Sequence, residues 1–208
     1  MGKFLVRFSL IILITVFSLI IFFSYVGLET NRFNELIKNR ANEINQNVKL
    51  EFKKAKINLD LTELNFVVKL KNPKVLIKNN EINLSRLDLF LSIKSFFSSD
   101  FLLKKAEVAF VKNDIKDLTK ITNIFLPRII NKQLKKIFAK GNLEGELVIP
   151  FESDGSIGRN YGFSGKVSDA SINLTKKFSI KNLTTEISHG KGVENNGFII
   201  AIKKGSLF

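Results

Sequence analysis

The sequence predicts an α+β protein that is mainly β: an N-terminal transmembrane helix, then an antiparallel meander forming a curved or groove-like sheet with a few packing helices. Three observations predict it. Residues 8–26 read FSLIILITVFSLIIFFSYV without a single charge, about the length that crosses a hydrocarbon core of roughly 30 Å. From Val48 onward, apolar residues recur with a period of two. Asn, Asp, Gly, Ser and Pro interrupt that alternation at short intervals, and strands joined by short connections make an antiparallel sheet with one apolar and one polar face.

Residues 1–7 carry Lys3 and Arg7, which positive-inside topology assigns to a cytoplasmic N-terminus. A cleaved signal peptide would have a shorter apolar core and small residues at its cleavage site. Ser24-Tyr25-Val26-Gly27 offers no such pattern, so the helix over 8–26 is expected to stay as an anchor. Arg32, Lys38 and Arg40 follow it, but a long domain is exported regardless of such charges. Segment 27–47 reads as an amphipathic helix capped by Thr30 and running from about Asn31 to Gln46, with Phe33, Leu36, Ile37, Ala41, Ile44 and Val48 recurring at helical spacing.

Segment 48–112 is the predicted sheet. Val48, Leu50 and Phe52 alternate with polar residues, then Ala55, Ile57, Leu59 and Leu61 in the opposite phase. The slip at Lys53-Lys54 predicts a bulge or turn. Leu64, Phe66, Val68 and Leu70 follow, then Val75 and Ile77 beyond Asn72-Pro73. Ile82, Leu84, Leu87, Leu89 and Leu91 show a second slip near Arg86, and Ala106, Val108 and Phe110 alternate after a turn at Ser92–Asp100. Segment 113–140 reads as a helical insertion. Asp114 caps a helix presenting Ile115, Leu118, Ile121, Ile124 and Phe125, and Pro127 starts a second through Ile130, Leu134 and Ile137 to Gly141. Segment 141–208 returns to strands at a spacing of roughly ten residues, with dense turn chemistry. The sequence stops just after a strand-like run, which would leave an open edge. The expectation is a truncated product, or a short chain whose last strand needs a partner.

The net charge of +14 arises from 33 Lys and Arg against 19 Asp and Glu. Nucleic acid, anionic headgroups or a solvated face would each account for it. The basic residues are spread along every segment, without an aromatic RNA-binding signature or a paired-Arg helix, so nucleic acid is not an expected partner. With no cysteine, disulfides, thiolate metal sites and cysteine nucleophiles are excluded. Secreted eukaryotic domains of this size more often carry disulfides, which points to bacteria.

Catalysis finds little support. His189, the sole histidine, sits in Ser188-His189-Gly190-Lys191-Gly192, which reads as a surface turn. A zinc site there would need carboxylates alone to complete it. Gly162-Phe163-Ser164-Gly165-Lys166 lacks the second glycine of a nucleophile elbow and the spacing of a phosphate loop; its alternation reads as strand. Gly155-Ser156-Ile157-Gly158 reads as a turn. Asp60 with Glu63, Asp114 with Asp117, and Glu144 with Glu146 have ordinary readings at a turn, a helix start and one strand face. No enzyme activity, metal or cofactor is expected.

The order of a basic N-terminus, one membrane helix, an amphipathic helix and strands containing Val68-Lys-Leu-Lys-Asn-Pro-Lys-Val75-Leu-Ile resembles the start of AsmA-like proteins, the group of AsmA, TamB and YhdP. Leu87-Asp-Leu-Phe-Leu-Ser-Ile-Lys-Ser-Phe-Phe followed by Leu102-Leu-Lys-Lys-Ala-Glu-Val-Ala-Phe-Val is also similar. The Gly141-Asn-Leu-Glu-Gly-Glu-Leu and Gly162-Phe-Ser-Gly-Lys-Val-Ser-Asp-Ala-Ser-Ile runs resemble later repeats of the YhdP type. Members of the family are usually much longer, so the chain resembles an N-terminal portion.

The resemblance implies a single-pass protein of the bacterial inner membrane, its bulk periplasmic, whose groove-shaped sheet helps move phospholipid and maintains the outer envelope. Every second residue of a curled sheet lines its concave face. On that reading Leu64, Phe66, Val68, Leu70, Leu87, Leu89, Leu91, Val108 and Phe110 line a channel for phospholipid acyl chains. Each shielded CH₂ is worth about 0.8 kcal/mol, so a generic apolar lining suffices. The same alternation describes any half-buried sheet packed on its own helices. The other expectation is a non-catalytic envelope structural or adaptor protein that binds a protein partner by strand addition.

Overall fold

A computed structural model describes residues 2–31, 34–44, 46–77, 80–94, 102–118, 138–156, 158, 160–173, 178–190 and 198–207. The first helix, α1 (Gly2–Tyr25), starts before the apolar run, so Lys3 and Arg7 lie in its first turns and not in a separate terminus. Its most apolar window has no share buried against the rest of the protein. A helix apolar on all sides needs an apolar surrounding, and this one is long and apolar enough to cross a membrane.

The C-terminal end of α1 is tied to the sheet. Gly27 adopts φ +71°, and the Val26 and Gly27 amides donate to the Phe22 carbonyl at 2.8 and 3.0 Å, which is how a helix closes through a left-handed residue. Asn58 Nδ2 donates to the carbonyls of Phe23 (3.5 Å) and Ser24 (3.3 Å), and Ser24 Oγ donates to Leu59 O at 2.9 Å. The orphan carbonyls of the last turn are thus met by the third strand. A Cβ on Gly27 would lie 2.6 Å from Asn58 Nδ2 and 2.7 Å from Ile57 O. Gly27→Ala is therefore expected to lower stability by about 1–3 kcal/mol, read as an earlier thermal transition in detergent. An unchanged transition would mean that this junction is not coupled to the fold.

The chain then forms β1 (Leu28–Thr30) before α2 (Asn34–Ile44). Thr30 is not the expected helix cap: it pairs with Ala55 on an edge strand too short to show a period. There follow β2 (Val48–Glu51), β3 (Lys54–Asp60), β4 (Asn65–Lys71), β5 (Lys74–Ile77), β6 (Asn80–Ser92) and β7 (Leu103–Asp114). The last four are β8 (Phe138–Pro150), β9 (Gly162–Asn173), β10 (Ser179–His189) and β11 (Phe198–Leu207). Among the described residues they make one curved antiparallel sheet of 11 strands in the order β1-β3-β4-β6-β7-β8-β9-β10-β11, with β2 paired to β5 and β5 to β6.

The two slips in the alternation have different causes. At Lys53 the chain changes partners, from β2 on β5 to β3 on β1 and β4. Near Arg86 there is a bulge: Leu84 faces Phe110 and Arg86 faces Ala109, leaving Ser85 unmatched. Beyond the bulge the amide of Asn113, itself buried, continues the ladder. The Asn83 amide donates to Asn113 Oδ1 at 2.9 Å, and Asn113 Nδ2 donates to Asn83 O at 3.0 Å. Asn113→Leu strands both backbone groups and is expected to cost about 2 kcal/mol; denaturant unfolding measures it, and a loss near zero would sink this role.

The helical insertion is only partly described. Residues 115–118 form one helical turn, with the Lys116 amide donating to Asp114 Oδ1 at 2.7 Å, and Ile115 packs with Val167, Ala170 and Leu183. Ile121, Ile124, Phe125, Pro127, Ile130, Leu134 and Ile137 lie outside the described residues, as does most of the Ser92–Asp100 turn. The expected run of helix up to Gly141 is corrected at its end: β8 already begins at Phe138, opposite Ile172. Strands β8 to β11 run for 13, 12, 11 and 10 residues. Asp169 and Asn182, with φ of 53°, mark register shifts inside strands and not turns between them; Asn and Asp tolerate that conformation best.

Candidate functional site

The register assigns the apolar residues to one face across the sheet. Leu87 lies opposite Val108, Val108 opposite Leu147, Leu147 opposite Phe163, and Phe163 opposite His189. A neighbouring row runs Phe110–Gly145–Gly165–Ile187–Ile200. Toward the anchor, Ile57, Val68, Leu89, Ala106 and Ile149 form the equivalent row. Gly145 and Gly165 let their strands approach closely, since a Cβ on Gly145 would lie 2.4 Å from Ser164 O.

The forecast lining residues divide three ways. Val68, Leu70, Leu87, Leu89 and Leu91 are buried in one cluster with Phe66 and Val108 packed against it. Ile37 and Ala41 of α2, with Leu50 and Phe52, belong to the same cluster, so this end of the face is a closed core and not an open trough. Phe110 packs beside a smaller cluster around Ile77 and Ile82. Leu64 is a correction: it is 60% exposed with φ 49°, in the turn between β3 and β4. The turn continues because Asp60 Oδ1 accepts from the Thr62 hydroxyl and amide at 2.6 and 2.9 Å. The Thr62 hydroxyl and amide hold the Asp60 carboxyl below its ordinary value.

The face opens toward β11. Leu147, Phe163 and Ile187 are half-buried, while Ile200 is 61% and Ile202 65% exposed. None of these was singled out from sequence as lining, although the alternation of Leu147-Val-Ile and Phe198-Ile-Ile-Ala-Ile carried the signal. His189 is also corrected: it is buried at the end of β10, its ring 4.7 Å from that of Tyr161. The strand persists through it because Phe163 and Phe198 pair with it on either side.

The opposite face carries a second feature that sequence reasoning missed. An open cleft of ≈ 450 Å³ lies where α1 meets the sheet, walled by Ser24 and Tyr25, by Asn58 to Leu61, and by Val67, Lys69, Asp88, Phe90 and Glu107. Lys69 is paired in register with Asp88, and Asp88 with Glu107. Arg86 Nε lies 3.8 Å from Asp88 Oδ2, and Arg86 Nη2 3.2 Å from Glu146 and 4.0 Å from Glu107. Lys105 Nζ contacts Glu107 Oε1 at 3.1 Å and sits 4.0 Å from the centre of the Phe90 ring, within cation–π range.

Burial pushes the Asp88 carboxyl above its ordinary value, with Glu107 adding to the rise while Lys69 and Arg86 oppose it. A carboxyl with a raised folded-state pKa costs stability once ionised, so the fold gains as pH falls toward that pKa. Asp88→Asn is expected to unfold at a higher temperature than the parent at neutral pH, the difference closing as pH is lowered through the Asp88 titration. Paired melts at both pH values check this; a variant that is less stable at neutral pH would show that the cations outweigh burial.

Comparison with known proteins adds no neighbour to this geometry: no family model, no curated protein and no solved structure matches the chain.

Proposed function

We propose that the chain is a membrane-anchored, non-catalytic lipid-handling protein of AsmA-like type, which shields phospholipid acyl chains on the apolar face of its sheet and so contributes to phospholipid transport and envelope integrity. One observation carries this reading. The apolar face runs in register through β3, β4 and β6 to β11, closed under α2 near the anchor and open toward β11. A bilayer-tethered surface of that kind offers acyl chains an apolar path leading away from the membrane, and shielding rises by about 0.8 kcal/mol for each CH₂ covered. Lys3 and Arg7 ahead of the apolar run favour an N-terminus in the bacterial cytoplasm and a periplasmic sheet.

Photocrosslinking in cells tests it. Leu89 is buried in the cluster that includes Ile37 of α2, and Phe66 packs against that cluster, so the photoreactive residue belongs at Ile187 or Ile200, with Lys203 on the other face as control. Phospholipid captured at the first two and not at Lys203 supports the trough. Equal capture, or none, favours the second reading, an envelope adaptor that takes a partner strand. That reading draws on Ile199, Ile200 and Ile202 exposed along β11, the last strand of the sheet order, a template for strand addition.

A further inference from the structure

The cleft at the foot of α1 lies on the face opposite the apolar trough, and its position fixes the surroundings it meets. Helix α1 has 24 residues, about 36 Å at 1.5 Å per residue, slightly more than a hydrocarbon core of about 30 Å. Its last turn therefore emerges among headgroups. Tyr25 there is 83% exposed, as an interfacial aromatic should be. Ser24 and Tyr25 are also a wall of the cleft, so the cleft faces the headgroup layer.

Its chemistry is mixed and balanced. Asp60, Asp88 and Glu107 supply negative charge, Lys69 lines the same cleft, and Arg86 and Lys105 contact its acids from the rim. Phe90 and Val67 add apolar surface between them. Asp88 is only 7% exposed, so one carboxylate is held poorly solvated. A poorly solvated carboxylate lining an open cleft favours a donor with positive charge. No group of three or more metal-ligating side chains gathers among the described residues, so an organic ammonium suits the site better than a metal ion. A cleft of ≈ 450 Å³ is within the usual range for small-molecule sites, roughly 300–1,000 Å³.

We propose that this cleft binds the zwitterionic headgroup of a phospholipid carrying a primary ammonium, the ammonium between Asp88 and Glu107 and the phosphate beside Lys69. The inference rests on α1 spanning the membrane but not on the trough. A headgroup of zero net charge with separated poles complements a site of the same character, whereas a purely anionic headgroup meets its carboxylates.

The full chain in nanodiscs of equimolar phosphatidylethanolamine and phosphatidylglycerol tests it, with a photoreactive residue at Leu61 on the cleft wall and, in a separate sample, at Ile200. Capture at Leu61 is expected to favour phosphatidylethanolamine about tenfold, the equivalent of about 1.4 kcal/mol, and to fall to near parity in Asp88→Asn. Glu107→Gln, on the more exposed acid, is expected to weaken the preference as well. Parity or a phosphatidylglycerol preference in the parent overturns the proposal, as does a preference that survives both substitutions. Lipid captured at Ile200 with parity at Leu61 removes the headgroup site alone. The reverse pattern removes the trough alone.

Discussion

Val68→Asp is expected to abolish the cooperative unfolding transition, while Ile200→Asp leaves it in place and removes lipid capture. Both residues lie on the apolar face, but Val68 is 2% exposed and Ile200 61%. Val68 is in register with Ile57 on one side and Leu89 on the other, in the cluster that includes Ile37 of α2. An unpaired carboxylate there costs several kcal/mol even after it takes up a proton, of the order of the roughly 5–15 kcal/mol that holds a domain folded. Val68→Ala, which only leaves a small cavity, should cost about 2 kcal/mol. At Ile200 the carboxylate stays hydrated, so stability should move by less than about 0.5 kcal/mol. Circular-dichroism melts in detergent, with lipid co-purification alongside, give both readouts. A cooperative melt in Val68→Asp would mean that the face is open at β4 as well, and the trough would then reach the anchor.

The sequence made the strands legible because a half-buried sheet repeats at a period of two, and residues such as Val68, Leu70, Leu87 and Leu89 keep that phase without interruption. It could not say what covers them. A residue facing lipid and one facing α2 obey the same alternation, so the open part of the face, around Ile187 and Ile200, was not separable from the closed part. Leu64 illustrates the failure: it continues the count of Phe66 and Val68 but lies in a turn fixed by Asp60 and Thr62. Part of the turn chemistry over 141–208 proved to be bulge chemistry, because the positive φ of Asp169 and Asn182 serves a bulge as readily as a turn. The cleft was invisible for a different reason. Asp88, Lys69 and Glu107 come from three strands, and only the register and the docking of Ser24 on β3 bring them beside the end of the anchor. Each of them alone looked like an ordinary solvated charge.

Leu13→Arg is expected to shift the chain out of the carbonate-resistant membrane fraction, and with Val16→Arg the shift should be nearly complete. Both residues sit exposed in the middle of α1, where each Arg costs about 3 kcal/mol on insertion. Asn58→Leu, by contrast, should leave the fraction unchanged while loosening the sheet from the helix, because insertion depends on the apolar run alone. An N-terminal tag should stay on the full-length protein. The reason lies in the junction: Ser24 Oγ holds Leu59 O, and Asn58 Nδ2 holds the carbonyls of Phe23 and Ser24. Cleavage near Val26 would leave these half-buried polar groups of β3 without their partners and remove the wall of the cleft formed by Ser24 and Tyr25. A signal sequence destined for removal has no use for such contacts, whereas an anchor that must hold the sheet at a fixed height above the bilayer depends on them. Loss of the tag from the mature protein would break that argument and, with it, the placement of the cleft among headgroups.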